Sequence, residues 1–490
     1  MKKISYLIIF FIFIFFISAP LRANRLGDSI ITITVTGQSY DFTAPWQKLP
    51  IQKEVITGIL LKENKILTLS YKLKDHVLIE ASKFGSFRKY PAKVILKDYH
   101  CGLALITVTD NSFYNDLKPV EFNSRGSIKD KKALIIKWDN NGILKEHPAE
   151  YLKSAVEFFE STGVVLIHQM ISEIDTAGKG EPVFVDGKLA GIASWHLSKT
   201  KTIKVIDLIV IERMLKDIQS GNYKGMPFFY VEDSALENDE NLREYLGLKK
   251  EDTGIHLINV PPQTSGSDVL KKGDVILNID NIDIDDNGLY LSQKYGKLTY
   301  YGLIFLNHFV GDTVKMDVFR DKKKIEISFK LKPFSEDSFL IPPLTYDTPP
   351  KYYIIGGLVF QDLTKEYLKT WGKEWPSTAD KRLMYYHDNF TRYPSPDRKK
   401  IVLLTSVLPA AVNLGYHNLK NLILDKVNGI IVKDIAHFNE IIAKSNDKYL
   451  EFDFAGDRRI VIDNKEAKSS INDIMKKYKI QAPYYLGEKK

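Results

Sequence analysis

The sequence predicts a mainly β protein: a β-barrel or sandwich unit followed by two smaller α+β units. Three observations predict it. Short apolar runs of strand length recur at regular spacing through residues 30–193. After residue 225 the order becomes strand, turn, strand, short helix, hairpin. That order returns in weaker form after a Pro-rich joint, "IPPLTYDTPP" at 341–350. A chain of 490 residues accommodates such units at roughly 100–200 residues each.

The first 23 residues read as a targeting segment. Lys2-Lys3 precede an apolar run from Tyr6 to Ile17, Ala19-Pro20 breaks it, and Leu21-Arg22-Ala23 ends on a small residue. This is the layout of a secretory signal cleaved after Ala23. An uncleaved N-terminal anchor is the alternative, although the run is short of the roughly 20 residues a bilayer span needs. Either reading places the folded part outside the cytoplasm, in the periplasm or cell envelope. Membrane contact follows only if the segment stays on.

From residue 30 the strand series runs Ile30 to Thr36, Val55 to Leu61, Lys65 to Leu69, Val77 to Ala81, Ala92 to Leu96 and Leu103 to Val108. A second set runs Ala133 to Lys137, Gly163 to His168, Pro182 to Val185 and Lys188 to Ala193. Helical spacing from Ile206 to Ile218, ended by Ser220-Gly221, marks a boundary helix. "VLKKGDVILNIDNIDI" (269–284) and "GDTVKMDVFRDKKKIEISFKL" (311–331) are strand and hairpin patterns around a short helix at 301–310. "LILDKVNGIIVKDIAHFNEIIA" (422–443) and "YLEFDFAGDRRIVID" (449–463) repeat the scheme. The predicted domains are 24–222, 223–335 and 336–490, after the signal at 1–23.

The formal charge of +8 comes from 69 basic and 61 acidic side chains interleaved along the chain. That describes a mixed solvated surface and gives no nucleic-acid stripe. The single cysteine, Cys101, excludes an internal disulfide and a multi-Cys metal site, and its apolar neighbours make it a small buried hydrophobe. No phosphate loop, dinucleotide fingerprint or zinc motif is present, so no cofactor and no metal is expected. Asp283, Asp285, Asn287 and Gly288 imitate the start of a calcium loop, but Lys294 stands where the closing Glu belongs. They read as an Asp-rich turn.

Several ordered stretches carry a resemblance. "ILTLSYKLKD" (66–75), "FGSFRKYPAKVILKDYHCGLALITVTDNSFYNDLKPVEF" (84–122), "GEPVFVDGKLAGIAS" (180–194) and "PPKYYIIGGLVFQDLT" (349–364) are similar to segments of the HtrA/Deg proteases, and most of all to the long plant Deg proteases. The resemblance implies a trypsin-like double β-barrel followed by one ordinary and one divergent PDZ domain. It also implies three triad positions, and this sequence departs at each. Tyr71 stands at the histidine position, Gly102 at the aspartate position and Lys179 at the serine position. A triad needs a hydroxyl nucleophile, a base titrating near neutrality and a carboxylate to orient that base. A tyrosine titrates near ~10 and stays protonated. Glycine has no side chain. A lysine attacks only when stripped of its proton, and Glu181 two residues on is expected to hold it charged and to intrude on the substrate path. Catalysis would then need a relocated site, built from His76, His100, His147, His168 or His196 with Ser70, Ser161 or Ser172.

The resemblance leaves binding as the expected work: a pseudoprotease that holds peptides, unfolded proteins or C-terminal tails as a chaperone, or regulates an active protease. An active endopeptidase with an unorthodox site and a surface scaffold or adhesin are the alternatives. Peptide contacts are expected at Phe228, Phe229 and Tyr230 in the first PDZ domain, and at Gly356, Gly357, Leu358, Val359 and Phe360 in the second. Tyr40, Phe42 and Trp46 match a segment that packs family members into trimers, so a trimer-based homo-oligomer or a mixed oligomer with an active Deg protease is expected; core filling is the other reading.

Overall fold

Alternation of apolar with polar residues makes the first half of the chain β, and each sheet then closes on itself. The computed structural model describes residues 26–487, apart from 84–85, 87, 125, 127, 130, 140–141, 160–162 and 390–393. The targeting segment at 1–23 and Ser161 lie outside the described residues. Strands β1 (Ile30–Gly37), β2 (Gln52–Leu60), β3 (Ile66–Leu69), β4 (His76–Lys83), β5 (Tyr90–Asp98) and β6 (Leu103–Val108) form one closed barrel in the order β1-β2-β3-β6-β5-β4. A second barrel orders β10 (Pro182–Val185), β11 (Lys188–Leu197), β12 (Thr202–Asp207), β9 (Gly163–Ile171), β8 (Leu144–Phe159) and β7 (Ala133–Trp138). Of barrel and sandwich, the closed order decides for the barrel. Inward residues such as Ile31, Ile33, Ile66 and Ile106 have no exposed surface, and each such burial contributes about 1.5–3 kcal/mol. Cys101 is buried between the barrels.

Strand β8 has no counterpart among the sequence-predicted strands. It is 16 residues long, and Lys145, Glu146, Glu150 and Lys153 interrupt its apolar pattern. Its pairing comes from β7 on one side and β9 on the other, which supply the backbone partners that its own composition does not advertise. Its far end stays paired to β9 through Phe159↔Gly163, with Val156 and Phe158 turned to the next domain and Phe159 turned to the barrel junction. The boundary helix α1 is Leu208–Gln219, two residues later than predicted. Asp207 caps it, its carboxylate accepting from the Ile209 N–H at 2.7 Å, so Ile206 remains in β12.

The next unit is a six-stranded sheet of β13 (Glu232–Ala235), β14 (Ile255–Asn259), β15 (Val275–Ile279), β16 (Ile282–Asp283), β19 (Thr313–Arg320) and β20 (Lys323–Lys330). With it go the hairpin β17 (Leu289–Ser292) and β18 (Gly296–Thr299), and helices α2 (Glu240–Leu246) and α3 (Tyr301–Phe305). The Asp-rich stretch is a turn: one Asp285 carboxylate oxygen accepts from the N–H groups of Asn287 and Leu289 at 3.0 and 2.8 Å.

The last unit carries an eight-stranded sheet. It contains β21 (Tyr352–Ile355), β22 (Leu358–Asp362), β23 (Val402–Val407), β24 (Leu422–Val427), β25 (Ile430–Ile431), β26 (Tyr449–Phe454), β27 (Arg458–Asp463) and β28 (Tyr484–Tyr485). Its path is β27-β26-β24-β23-β22-β21-β28, with β25 paired to β24. Helices α4 (Lys365–Leu368), α5 (Trp375–Thr378) and α6 (Lys381–Asp388) lie between β22 and β23, and α7 (Ile435–Lys444) packs under the sheet. Helices α8 (Asn464–Ser469) and α9 (Ile471–Tyr478) lead into β28. Asp347, in the Pro-rich joint, binds this unit to the first barrel. Its carboxylate takes Lys97 Nζ and the Tyr99 hydroxyl, each at 2.5 Å, and the Asp75 N–H at 2.8 Å.

Candidate functional site

Strand β3 runs into a 3₁₀ turn, Ser70–Leu73, and this turn carries Tyr71. The turn is fixed from beneath. Ser70 N–H donates to the Gly102 carbonyl at 3.0 Å, and its hydroxyl donates to the Asp98 carbonyl at 2.9 Å. Tyr71 and Gly102 are thus brought together at the junction of the barrels. The Tyr71 hydroxyl donates to the Ser194 carbonyl of β11, which anchors it across the junction. Gly102 is buried with φ +75°, and a Cβ built on it would lie 2.8 Å from Cζ of Phe159. The Phe159 ring also packs on Tyr71, with centroids 5.8 Å apart. The volume an orienting carboxylate would need is therefore taken by a side chain from the end of β8.

Lys179 lies between Gly178 at φ +83° and Gly180 at φ +94°, a tight turn that presents the residue toward the barrel junction. Its amine is about half exposed and stands 3.6 Å from Glu54, which also holds Lys72 at 2.7 Å. This corrects the expectation for Glu181. That carboxylate does not pair with the Lys179 amine and does not project into a substrate path. It is 3 % exposed and accepts from the backbone N–H of Lys179 at 2.8 Å. Burial pushes the Glu181 carboxyl above its ordinary range, while the hydrogen bond from Lys179 pulls the other way. In triad chemistry the N–H of the nucleophile residue is one donor of the oxyanion hole. Here that donor is filled from within the chain.

The other histidines do not assemble a replacement at this junction. His76 bonds the Leu73 carbonyl at 3.0 Å and sits near Lys97; burial first and that cation second keep it neutral. His100 is buried against Phe334, ring centroids 4.2 Å apart, and is likewise held neutral by burial. Burial lowers His147 and His196 too. Ser172 donates to the Pro148 carbonyl. A Ser–His–Asp chain does occur elsewhere: Ser154 Oγ lies 3.0 Å from His168 Nδ1, and His168 Nε2 lies 2.5 Å from Asp207. His168 has no exposed surface and Asp207 is occupied with capping α1, so this is a core network without an open cleft.

The expected peptide sites are also closed. In the first α+β unit Phe228 and Phe229 are 3 % and 1 % exposed and belong to the core. The Tyr230 N–H donates to Thr264 Oγ1 at 2.6 Å, and the Tyr301 hydroxyl of α3 donates to the Val231 carbonyl at 3.1 Å. Over this groove lies Phe158 from β8, 6.0 Å from the Tyr230 ring and 4.9 Å from Tyr301. In the last unit Gly356 and Gly357, at φ +54° and +81°, make the two-residue turn of the β21–β22 hairpin. Their carbonyls take Asn413 Nδ2 and the Leu408 N–H, each at 2.7 Å. Leu358, Val359 and Phe360 are fully buried, and β22 pairs with β21 on one edge and β23 on the other. A peptide cannot add to a strand with both edges paired, which corrects the expected contacts at 356–360.

Comparison with known proteins agrees with the architecture. A PDZ domain model matches residues 341–485. The chain is 26% identical over 479 residues to "Protease Do-like 4, mitochondrial" of Arabidopsis thaliana, covering 94% of this chain and 87% of that one. It is 26% identical to "Protease Do-like 2, chloroplastic" of the same plant, over 92% of this chain and 74% of that one. A Plasmodium falciparum "Serine protease DegP homolog" is 23% identical, over 82% of this chain and 57% of that one. The chain is homologous to the HtrA/Deg proteases. Two solved structures share the fold at 17% identity, each over 64% of this chain and 97% of theirs. They are the HtrA-type protease AlgW with a tripeptide, TM-score 0.50, and its serine-to-alanine variant with a decapeptide, TM-score 0.51.

The HtrA/Deg-like segment with the three aromatics lies against the last unit of the same chain. Tyr40 pairs with Lys48, the Phe42 carbonyl accepts from Gln361 at 3.2 Å, and Trp46 meets the Tyr352 ring at 6.2 Å. Phe158 and Phe159 pack at the barrel junction and over the first PDZ-like unit, and sequence reading missed both. Their signal was two successive aromatics at the end of a polar stretch, and only the pairing of β8 shows that they face opposite neighbours.

Proposed function

We propose that this chain is a non-cleaving HtrA/Deg relative that holds extended peptide or unfolded segments at the former cleft. One observation supports the reading: at the three positions that the resemblance gives to the triad, Tyr71 is bound to the Ser194 carbonyl, Gly102 is closed by Phe159, and the Lys179 N–H is taken by Glu181. Nucleophilic attack has no hydroxyl, no titrating base and no open donor for the developing charge. Holding needs less. Beyond its bulge at Ala193, β11 pairs only with β12 among the described strands; the Ser194 carbonyl is taken by Tyr71 and Gly178 lies against the Trp195 backbone, so the edge left for a segment is at His196–Leu197, flanked by the exposed Trp195 and Leu197. An extended segment adds there by backbone hydrogen bonds without meeting a nucleophile. The aromatic segment at Tyr40, Phe42 and Trp46 supports a second role in trimers, or in mixed oligomers with an active Deg protease, if its outer face stays available. The apolar N-terminus supports export to the envelope; an organellar location, like that in the names of its plant relatives, is the competing result of fractionating cells that express a tagged chain.

The test treats purified protein with a fluorophosphonate probe and follows unfolded casein on gels over a day, with Lys179→Ser as comparator. The expected result is no labelled serine and intact casein, with casein retained by the protein in pull-down. Labelling of a serine, with cleavage lost when that serine is mutated, overturns the reading.

A further inference from the structure

The edge strand β28 is the chain's own tail. It contributes two residues, Tyr484 and Tyr485, antiparallel to Tyr353 and Tyr352 of β21. The Ile354 N–H donates to the Pro483 carbonyl at 2.8 Å, and the Tyr352 hydroxyl donates to the Ala482 carbonyl at 2.9 Å. The Tyr484 ring stacks on Tyr353 at 5.4 Å and 8°, on one face of the sheet. Tyr485 packs on the other face, with the cluster of Tyr352, Ile354, Val359 and Ile480. The alternation is that of an added strand: backbone bonds along the edge, and side chains placed by turns on two faces.

Upstream, the chain is firmly held. Ile480 is 6 % exposed and its N–H bonds the Met475 carbonyl, so the anchored part ends at the close of α9. From Ala482 onward the contacts are those of a short peptide laid on a sheet edge, and Tyr484 remains 47 % exposed. The glycine hairpin at 356–357 cannot take a peptide, because β22 lies inside the sheet. The sheet's receptive edge is one strand outward, on β21, and the tail occupies it.

We infer that the outer edge of β21 is a strand-addition site filled by an internal ligand, the segment Ala482–Leu486, and that it accepts in trans an extended peptide with two successive aromatic residues following a proline. The tether explains why such a site stays closed at rest. A ligand linked through a few residues competes at an effective concentration in the millimolar range. This adds a second peptide site to the proposed function and rests on none of the triad geometry, so the protease-probe result can go either way without deciding it.

The test uses the full chain with a protease site inserted after Gln481, folded first and then cut. The probe is a fluorescein-labelled peptide of the tail sequence, APYYLGEKK, with APGGLGEKK as control. The expected result is an anisotropy rise with the cut protein at micromolar concentration and none with the uncut chain. The control should bind about tenfold more weakly or worse, since it lacks both ring contacts. A full-length Tyr484→Gly, Tyr485→Gly chain, in which the tail is weakened and not removed, should also bind the labelled peptide. Absence of binding to cut protein of unchanged circular dichroism, equal binding of both peptides, or equal binding to the uncut chain overturns the inference. Unfolding on cutting and in the double-glycine chain alike makes the tail part of the core, and also overturns it.

Discussion

Replacing Gly102 by Asp puts a carboxylate where the resemblance to HtrA/Deg proteases places one, and the structure predicts that it damages the fold. Three costs add. The backbone at φ +75° disfavours any side chain by about 1 kcal/mol. The new Cβ would sit 2.8 Å from the Phe159 ring, which must move or the strand must shift. The carboxylate would enter a buried site, at a cost of about 2–4 kcal/mol even when protonation relieves it. The backbone and burial costs alone come to about 3–5 kcal/mol, which lowers the melting temperature by about 10 °C or more for a unit of this size. Calorimetry on Gly102→Asp, Gly102→Ala, Phe159→Ala and Gly102→Asp/Phe159→Ala separates the parts. Ala carries the backbone and contact costs without the charge, and the double variant, referred to Phe159→Ala alone so that the lost Phe159 packing cancels, relieves the contact cost. A melting temperature for Gly102→Asp within about 2 °C of the parent refutes the reasoning, since it would mean that the site has room and a partner for a carboxylate.

Two further predictions concern the same region. Glu181 has a folded pKa raised by burial, so its ionised form opposes folding; stability from this group grows as pH falls through the raised value and is complete below the ordinary glutamate range. Glu181→Gln should therefore gain most over the parent at pH 8 and least near pH 4, read from urea midpoints; a gain larger at low pH reverses the sign and sinks the account. Phe158→Ala removes two ring contacts over the groove of the first PDZ-like unit, a loss of about 1–2 kcal/mol, and should speed amide exchange at 228–231. Unchanged exchange there would mean that the groove is closed by Tyr301 and Thr264 without help from β8.

The strands that alternate cleanly were legible in order: Ile30–Gly37, Ile66–Leu69, Leu103–Val108 and the hairpin at Tyr449–Asp463. That Tyr71, Gly102 and Lys179 stand at triad positions is read from the flanking stretches alone and stays part of the proposal. Strand β8 was not legible. A run holding Lys145, Glu146, Glu150 and Lys153 has no strand period of its own and becomes a strand through its neighbours. The glycines at 356–357 misled for a related reason. A two-glycine turn can close a hairpin or line a peptide loop, and the choice lies in what pairs with the next strand.

By itself, then, the sequence determined the strand grammar and the order of the units, since each depends on neighbours along the chain. Only the tertiary structure decided the rest: that Phe159 fills the space beside Gly102, that Glu181 turns inward to the Lys179 N–H, that Phe42 and Trp46 meet the last unit of their own chain, and that the tail lies on β21. Each of these joins residues tens to hundreds of positions apart, or selects among rotamers of one residue. Packing and the pairing of every buried polar group settle such choices, and neither is written in local periodicity.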